Sequence, residues 1–146
     1  IQAGATLQRS RYKEPEKWSG DESLQPQKKM FRSPDVYGYV TSSFNPVKRL
    51  AVSLTGTYTG SMLMQHFAGY IPSDKEEKTP DFLDMSVKVA YDFPLFKSGT
   101  LQVNAGVQNI FDSYQSDFDK GGSRDAGYIY GPSLPRSVYV GCKIMY

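Results

Sequence analysis

Met62, Met64 and His66 alternate in "MLMQH". In a strand that spacing turns two thioethers and an imidazole to one side, the donor set a soft metal would take. The base of a loop packed with methionines explains the same residues. Asp112, Asp117 and Asp119 could gather around calcium, but their spacing matches no recognised calcium loop, and ordinary loop solvation accounts for them. His66 is the only histidine, so no Ser-His-Asp, Cys-His or histidine-rich metal constellation is expected. Gly121-Gly122 and "RDAG" follow no strand-to-helix transition and read as turn glycines. Asp84, Lys88, Asp92 and Lys143 share one strand face, where pairing is expected rather than catalysis. No catalytic residue, metal ligand or cofactor is therefore assigned.

The elements that carry these residues are strands. Eleven tyrosines, eight phenylalanines and thirteen glycines among 146 residues are a strand-and-turn mixture. The net charge of +2, without a basic run, does not suggest nucleic acid as a partner. No stretch of about eighteen apolar residues could form a membrane-spanning helix, which leaves a membrane β-barrel open because barrel strands alternate. Cys142 is the single cysteine, so no internal disulfide framework exists. "IQAGATLQRSRY" does not have the pattern of a signal peptide; if the protein is exported, a different N-terminus is expected.

Period-two alternation marks six strands: "IQAGATLQRSRY", "VYGYVTSSF", "LAVSLTGTYTG", "FLDMSVKVAYDF", "LQVNAGVQN" and the closing "RSVYVGCKIMY". Polar pieces such as "PEKW" and "SDKEEK" read as single turns at most. Tight turns are expected at "NPVKR" and "FPLFKSGT", where proline and Ser98-Gly99 supply turn chemistry. The other three connections are roughly three times longer, well beyond hairpin length. In an up-and-down meander all three long connections emerge at one end, as in outer-membrane barrels. Phe44, Phe93, Phe96 and Tyr146 fall at the opposite end, where an interfacial aromatic girdle belongs. A soluble β-sandwich binding module would also alternate. A complete eight-stranded outer-membrane barrel would need two further strands inside the long connections. Six strands are too few to close, so the chain reads as a portion of a larger barrel.

Residues 36–146 carry a more specific likeness. Asn104–Asp112 ("NAGVQNIFD"), the "RDAGYIYGP" loop and "PRSVYVG" before a final aromatic resemble the last two strands of TonB-dependent outer-membrane receptors. "YGYVTSSFNPVKRLAVSLTGTYTGSM" resembles an upstream hairpin of that family. The resemblance implies that residues 1–146 are the C-terminal segment of a twenty-two-stranded barrel. The plug and earlier strands would lie outside it. It also implies energised uptake of a scarce nutrient (an iron chelate, cobalamin or an oligosaccharide) across the outer membrane of a Gram-negative bacterium. Implied partners are the rest of the barrel and its plug, TonB through the missing N-terminal part, the barrel-assembly machinery and outer-membrane lipid. Tyr139, Val140, Ile144 and Tyr146 would carry the assembly signal. Cargo contacts are expected in the long loops, from Trp18, Phe67, Tyr70, Tyr114, Tyr128 and Tyr130.

Overall fold

The computed structural model describes residues 1–96 and 98–146. Its strands, in chain order, are β1 (Gln2–Leu7), β2 (Arg11–Glu16), β3 (Gln27–Lys29), β4 (Val36–Val47) and β5 (Leu50–Thr59). They continue with β6 (Leu63–His66), β7 (Lys75–Lys78), β8 (Phe82–Leu95), β9 (Gly99–Gln108) and β10 (Ser137–Met145). No helix occurs among the described residues. The chain is all-β, and its main element is one antiparallel sheet of six strands in the order β1-β4-β5-β8-β9-β10. Each sheet strand pairs with the next sheet strand along the chain, so the sheet is the meander read from the alternation.

β4 turns into β5 through Lys48-Arg49, with Arg49 at φ 70°. β8 turns into β9 between Leu95 and Gly99; Lys97, inside the expected "FPLFKSGT" turn, lies outside the described residues. Because the sheet neighbours are antiparallel, these two turns share one end. The connections of residues 8–35, 60–81 and 109–136 share the other.

The long connections hold more structure than their sequences suggested. β2 and β3 form a hairpin in the first, and β6 and β7 another in the second. Thus "SDKEEK" contributes a strand rather than a turn, as does the start of "PEKW". Neither hairpin joins the main sheet, so they do not bring its strand count to eight.

Register settles which residues share a face. Phe44, Val52, Val89, Ala105 and Val140 form one continuous cross-strand row. Stepping by two from that row meets only apolar residues, glycine and Ser42 across the six strands; no charged residue falls on this face. Many of its side chains are exposed, including Leu83, Val89, Phe93, Val138 and Ile144. The opposite face carries Thr41, Ser53, Thr55, Asp84, Lys88, Asp92, Gln102, Asn104 and Lys143. There Asp92 accepts a hydrogen bond from Gln102 Nε2 at 2.8 Å. Its expected ion pairs with the neighbouring lysines do not form among the described residues.

Two glycines on the polar face make room for aromatic rings. A Cβ on Gly106 would lie 2.5–2.7 Å from atoms of the Tyr139 ring and hydroxyl, and a Cβ on Gly4 would lie 2.7 Å from the Tyr39 ring. Both are directly paired cross-strand partners. The ring of each tyrosine covers backbone that its glycine partner leaves bare.

Candidate functional site

Among the described residues no second layer covers the sheet. The buried apolar cluster is instead Met62, Met64 and Tyr128, with Tyr130 packed against it, all in the long connections at one end. Alternation in β6 builds it. Met64 is completely buried, and His66 two residues on is buried beside it. Met62 continues that side, anchored where its N–H donates to Thr79 Oγ1 at 2.9 Å.

The third connection closes over this surface. Tyr128 stacks on His66, with ring centroids 3.7 Å apart and planes 7° from parallel. His66 Nε2 stands 3.0 Å from both carboxylate oxygens of Asp119. Burial pushes the Asp119 carboxyl upward, but the Asp125 N–H and His66 together outweigh burial and hold it below the usual carboxylate value. Asp125 then reaches back to the second connection, where its Oδ2 accepts the Phe67 N–H at 3.0 Å. Gln115 is fully buried and fixes the returning segment: Nε2 donates to the Tyr128 carbonyl, and Oε1 accepts from the Tyr130 N–H.

The first connection is tied in as well. Ser19 Oγ donates to Asp74 at 2.5 Å, the Arg32 N–H donates to the Leu63 carbonyl, and the Arg32 guanidinium donates to the Gly127 carbonyl. Trp18 packs edge-on against both Phe31 and Phe67, at 5.4 and 5.8 Å. Its indole N–H is buried without a partner. Three segments distant in sequence therefore form one cap.

The aromatic residues expected to meet cargo separate into distinct settings. Trp18 and Phe67 come together in the trio with Phe31. Tyr128 and Tyr130 also meet, 5.3 Å apart and edge-on, and both hydroxyls donate to Asp117. Burial, followed by the Asp117 carboxylate, raises both tyrosines above the usual phenol range. Tyr128 is only 5% exposed, so its ring serves packing rather than an open surface. Tyr70 is exposed and Tyr114 half-buried. A cleft of about 320 Å³ lies on the third connection, lined by Phe118, Asp119, Arg124, Asp125, Tyr128 and Ile129. Arg124 is its one cation; the Asp119 and Asp125 carboxylates beside it already accept hydrogen bonds within the cap.

The candidate metal groups disperse. Asp112 accepts the Arg136 N–H, Asp117 takes the two tyrosines, and Asp119 takes His66 and the Asp125 N–H. The three carboxylates thus have separate partners rather than one ion. Met62, Met64 and His66 do converge, but the imidazole is turned to Asp119 and the group is the cap's core. The buried His–Asp pair was not expected, because the two residues stand 53 positions apart in featureless loop sequence.

On β10, Val140 and Ile144 lie on the exposed apolar face, and Tyr139 lies on the polar face over Gly106. Tyr146 follows the last paired residue and is fully exposed. No protein-family model, curated protein or solved structure matches the chain.

Proposed function

We propose that this chain is the C-terminal part of the barrel of a TonB-dependent outer-membrane receptor, taking up an iron chelate, cobalamin or an oligosaccharide. The observation that carries the reading is the uncharged apolar face that runs unbroken across all six strands. A lipid-facing barrel wall needs such a face; a solvated sheet does not. The ten residues of β5, at about 3.3 Å each and tilted by about 45°, rise roughly 23 Å, close to the height of an outer-membrane apolar band. Among the described residues both sheet edges, β1 and β10, are unpaired; in lipid their backbone groups need further strands. On this reading the cap of long connections faces outward and is where cargo binds. Tyr146 and the apolar positions of β10 face the assembly machinery, and the missing plug couples to TonB.

Fractionated cells of the source organism, blotted for this segment with and without boiling, test the reading. The expected result is an outer-membrane band several times larger than this chain, shifting on boiling. A band of the chain's own size in that membrane would mean a complete small barrel. A soluble band would sink both membrane readings.

A further inference from the structure

Three cations gather around Asp35, next to the paired ends of β1 and β4. β1 ends at Leu7, paired with Val36, and the next residue, Gln8, donates its N–H to the Asp35 carbonyl. Arg9 lies just past the end of β1 and Arg11 opens β2, and both are exposed. Arg11 is the cross-strand partner of Lys29, an arrangement of like charges that is unfavourable without an anion between them. Asp35 supplies one: Lys29 Nζ bonds it at 2.8 Å. The Lys29 hydrogen bond first, then the charges of Lys29, Arg11 and Arg9, pull the Asp35 carboxyl below its usual value. Within this group a single carboxylate, Asp35, faces three cations.

Immediately below, the apolar face is dented. A groove of about 280 Å³ runs over Gly38 and Gly56, walled by Val36, Tyr58, Leu83 and Met85. Its upper end is Val36, the residue that follows Asp35. Arg9 follows Leu7 by two positions, just past the end of β1. On the other flank, Asp81 accepts the Tyr58 hydroxyl at 3.3 Å.

We propose that this corner binds one anionic, phosphate-bearing lipid, with an acyl chain in the glycine-floored groove and the phosphate on Arg9, Arg11 and Lys29. The inference rests on the membrane reading above and adds a defined lipid site to it. Charge complementarity selects the occupant: the cations alone would take any anion and the groove alone any apolar chain. Only an amphiphile with a negative head satisfies both across one short step.

The test uses the intact protein that contains this segment, purified in neutral detergent and titrated with dioctanoyl phosphatidic acid by native mass spectrometry. Inorganic phosphate and dioctanoylglycerol are parallel arms. One phosphatidic acid should be retained, and neither control alone. Replacing two cations, Arg9→Gln with Arg11→Gln, should weaken retention about thirtyfold. Filling the groove from the exposed edge with Ala5→Trp should weaken it with the charges intact, and Arg9→Lys should restore most binding to an Arg9→Gln protein. Unchanged thermal unfolding in the same detergent establishes that each variant is folded. Retention that ignores both kinds of variant would overturn the proposal. So would phosphate binding as tightly as the lipid. The binding assay reads the site in detergent whatever the fractionation shows, so loss of the membrane reading and loss of the lipid site are separate outcomes.

Discussion

His66 Nε2 is equidistant, at 3.0 Å, from the two carboxylate oxygens of Asp119, and this buried contact joins the second and third connections. Asp119 has a folded pKa below its ordinary value. Its stabilising effect is therefore fully present above the unfolded carboxylate value of about 3.9 and is lost as pH falls through the lower, folded value. Amide protection at Phe67 and Asp125, corrected for intrinsic exchange, should collapse in that acid range. Asp119→Asn should start with weaker protection and lose this acid dependence. Identical acid profiles for the two proteins would refute the linkage.

Tyr139 and Gly106 make a second testable pair. Gly106→Ala puts a methyl group where the Tyr139 ring lies, and overpacking of this kind costs about 1–3 kcal/mol. In a Tyr139→Ala background the same change should be nearly neutral. Urea unfolding of all four proteins in micelles measures the coupling; additive effects would show that the ring and the glycine act independently.

Met64 is completely buried, yet it packs the cap rather than the sheet. Met64→Ala should cost about 2–5 kcal/mol. That loss should appear as local opening, with faster proteolysis within residues 60–81 and 109–136. Amide protection in β5 and β8 should hold. Equal loss of protection in the sheet would mean that the two parts open together.

Asn109, in "NIFD", fastens the end of β9. It sits at φ 50°, donates to the Ser113 and Leu134 carbonyls, and accepts the Ser113 N–H. Asn109→Ala should cost about 2–3 kcal/mol by stranding buried polar groups. Asn109→Gly should recover only the smaller, backbone part of that loss. Thermal unfolding of the two variants orders them. If the glycine variant matched the native protein, the side-chain bonds would carry nothing.

Val89 stands at the middle of the apolar face. Val89→Lys should cost about 2–4 kcal/mol if that face meets lipid. Asn104→Lys, on the polar face, should cost little. Refolding yields in lipid vesicles compare them. Equal yields would argue against a lipid-facing wall.

The sheet was legible because its information is binary. Every strand of the main sheet from Val36 onward alternates apolar with polar or small residues, and a one-residue slip would expose the wrong set. The hairpins in the connections were not. "KEEK" in β7 carries no alternation, and "RYKEPE" in β2 contains a proline that argues against a strand. The cap was still less readable. Tyr128 looks like any loop tyrosine until Met64 and His66 are found beneath it, and nothing local tells Asp119 from Asp117. Such contacts are decided by where two distant segments come to rest. The "NIFD" segment stood out in the sequence, but its purpose lies in the left-handed backbone at Asn109 and Asp112, which residue type alone does not reveal.

The cap's separate core has a consequence for how such a protein can drift over generations. A strand position on the apolar face asks only for an uncharged side chain, so one hydrophobic residue can replace another with little penalty. Met64, His66, Gln115, Asp119 and Tyr128 each depend on a particular partner in a different segment. Substitutions there must arrive in matched sets. On this packing the connections should tolerate single changes less freely than the strand face beneath them. A new specificity would come from exchanging the connections as a group, while the strands beneath them wander.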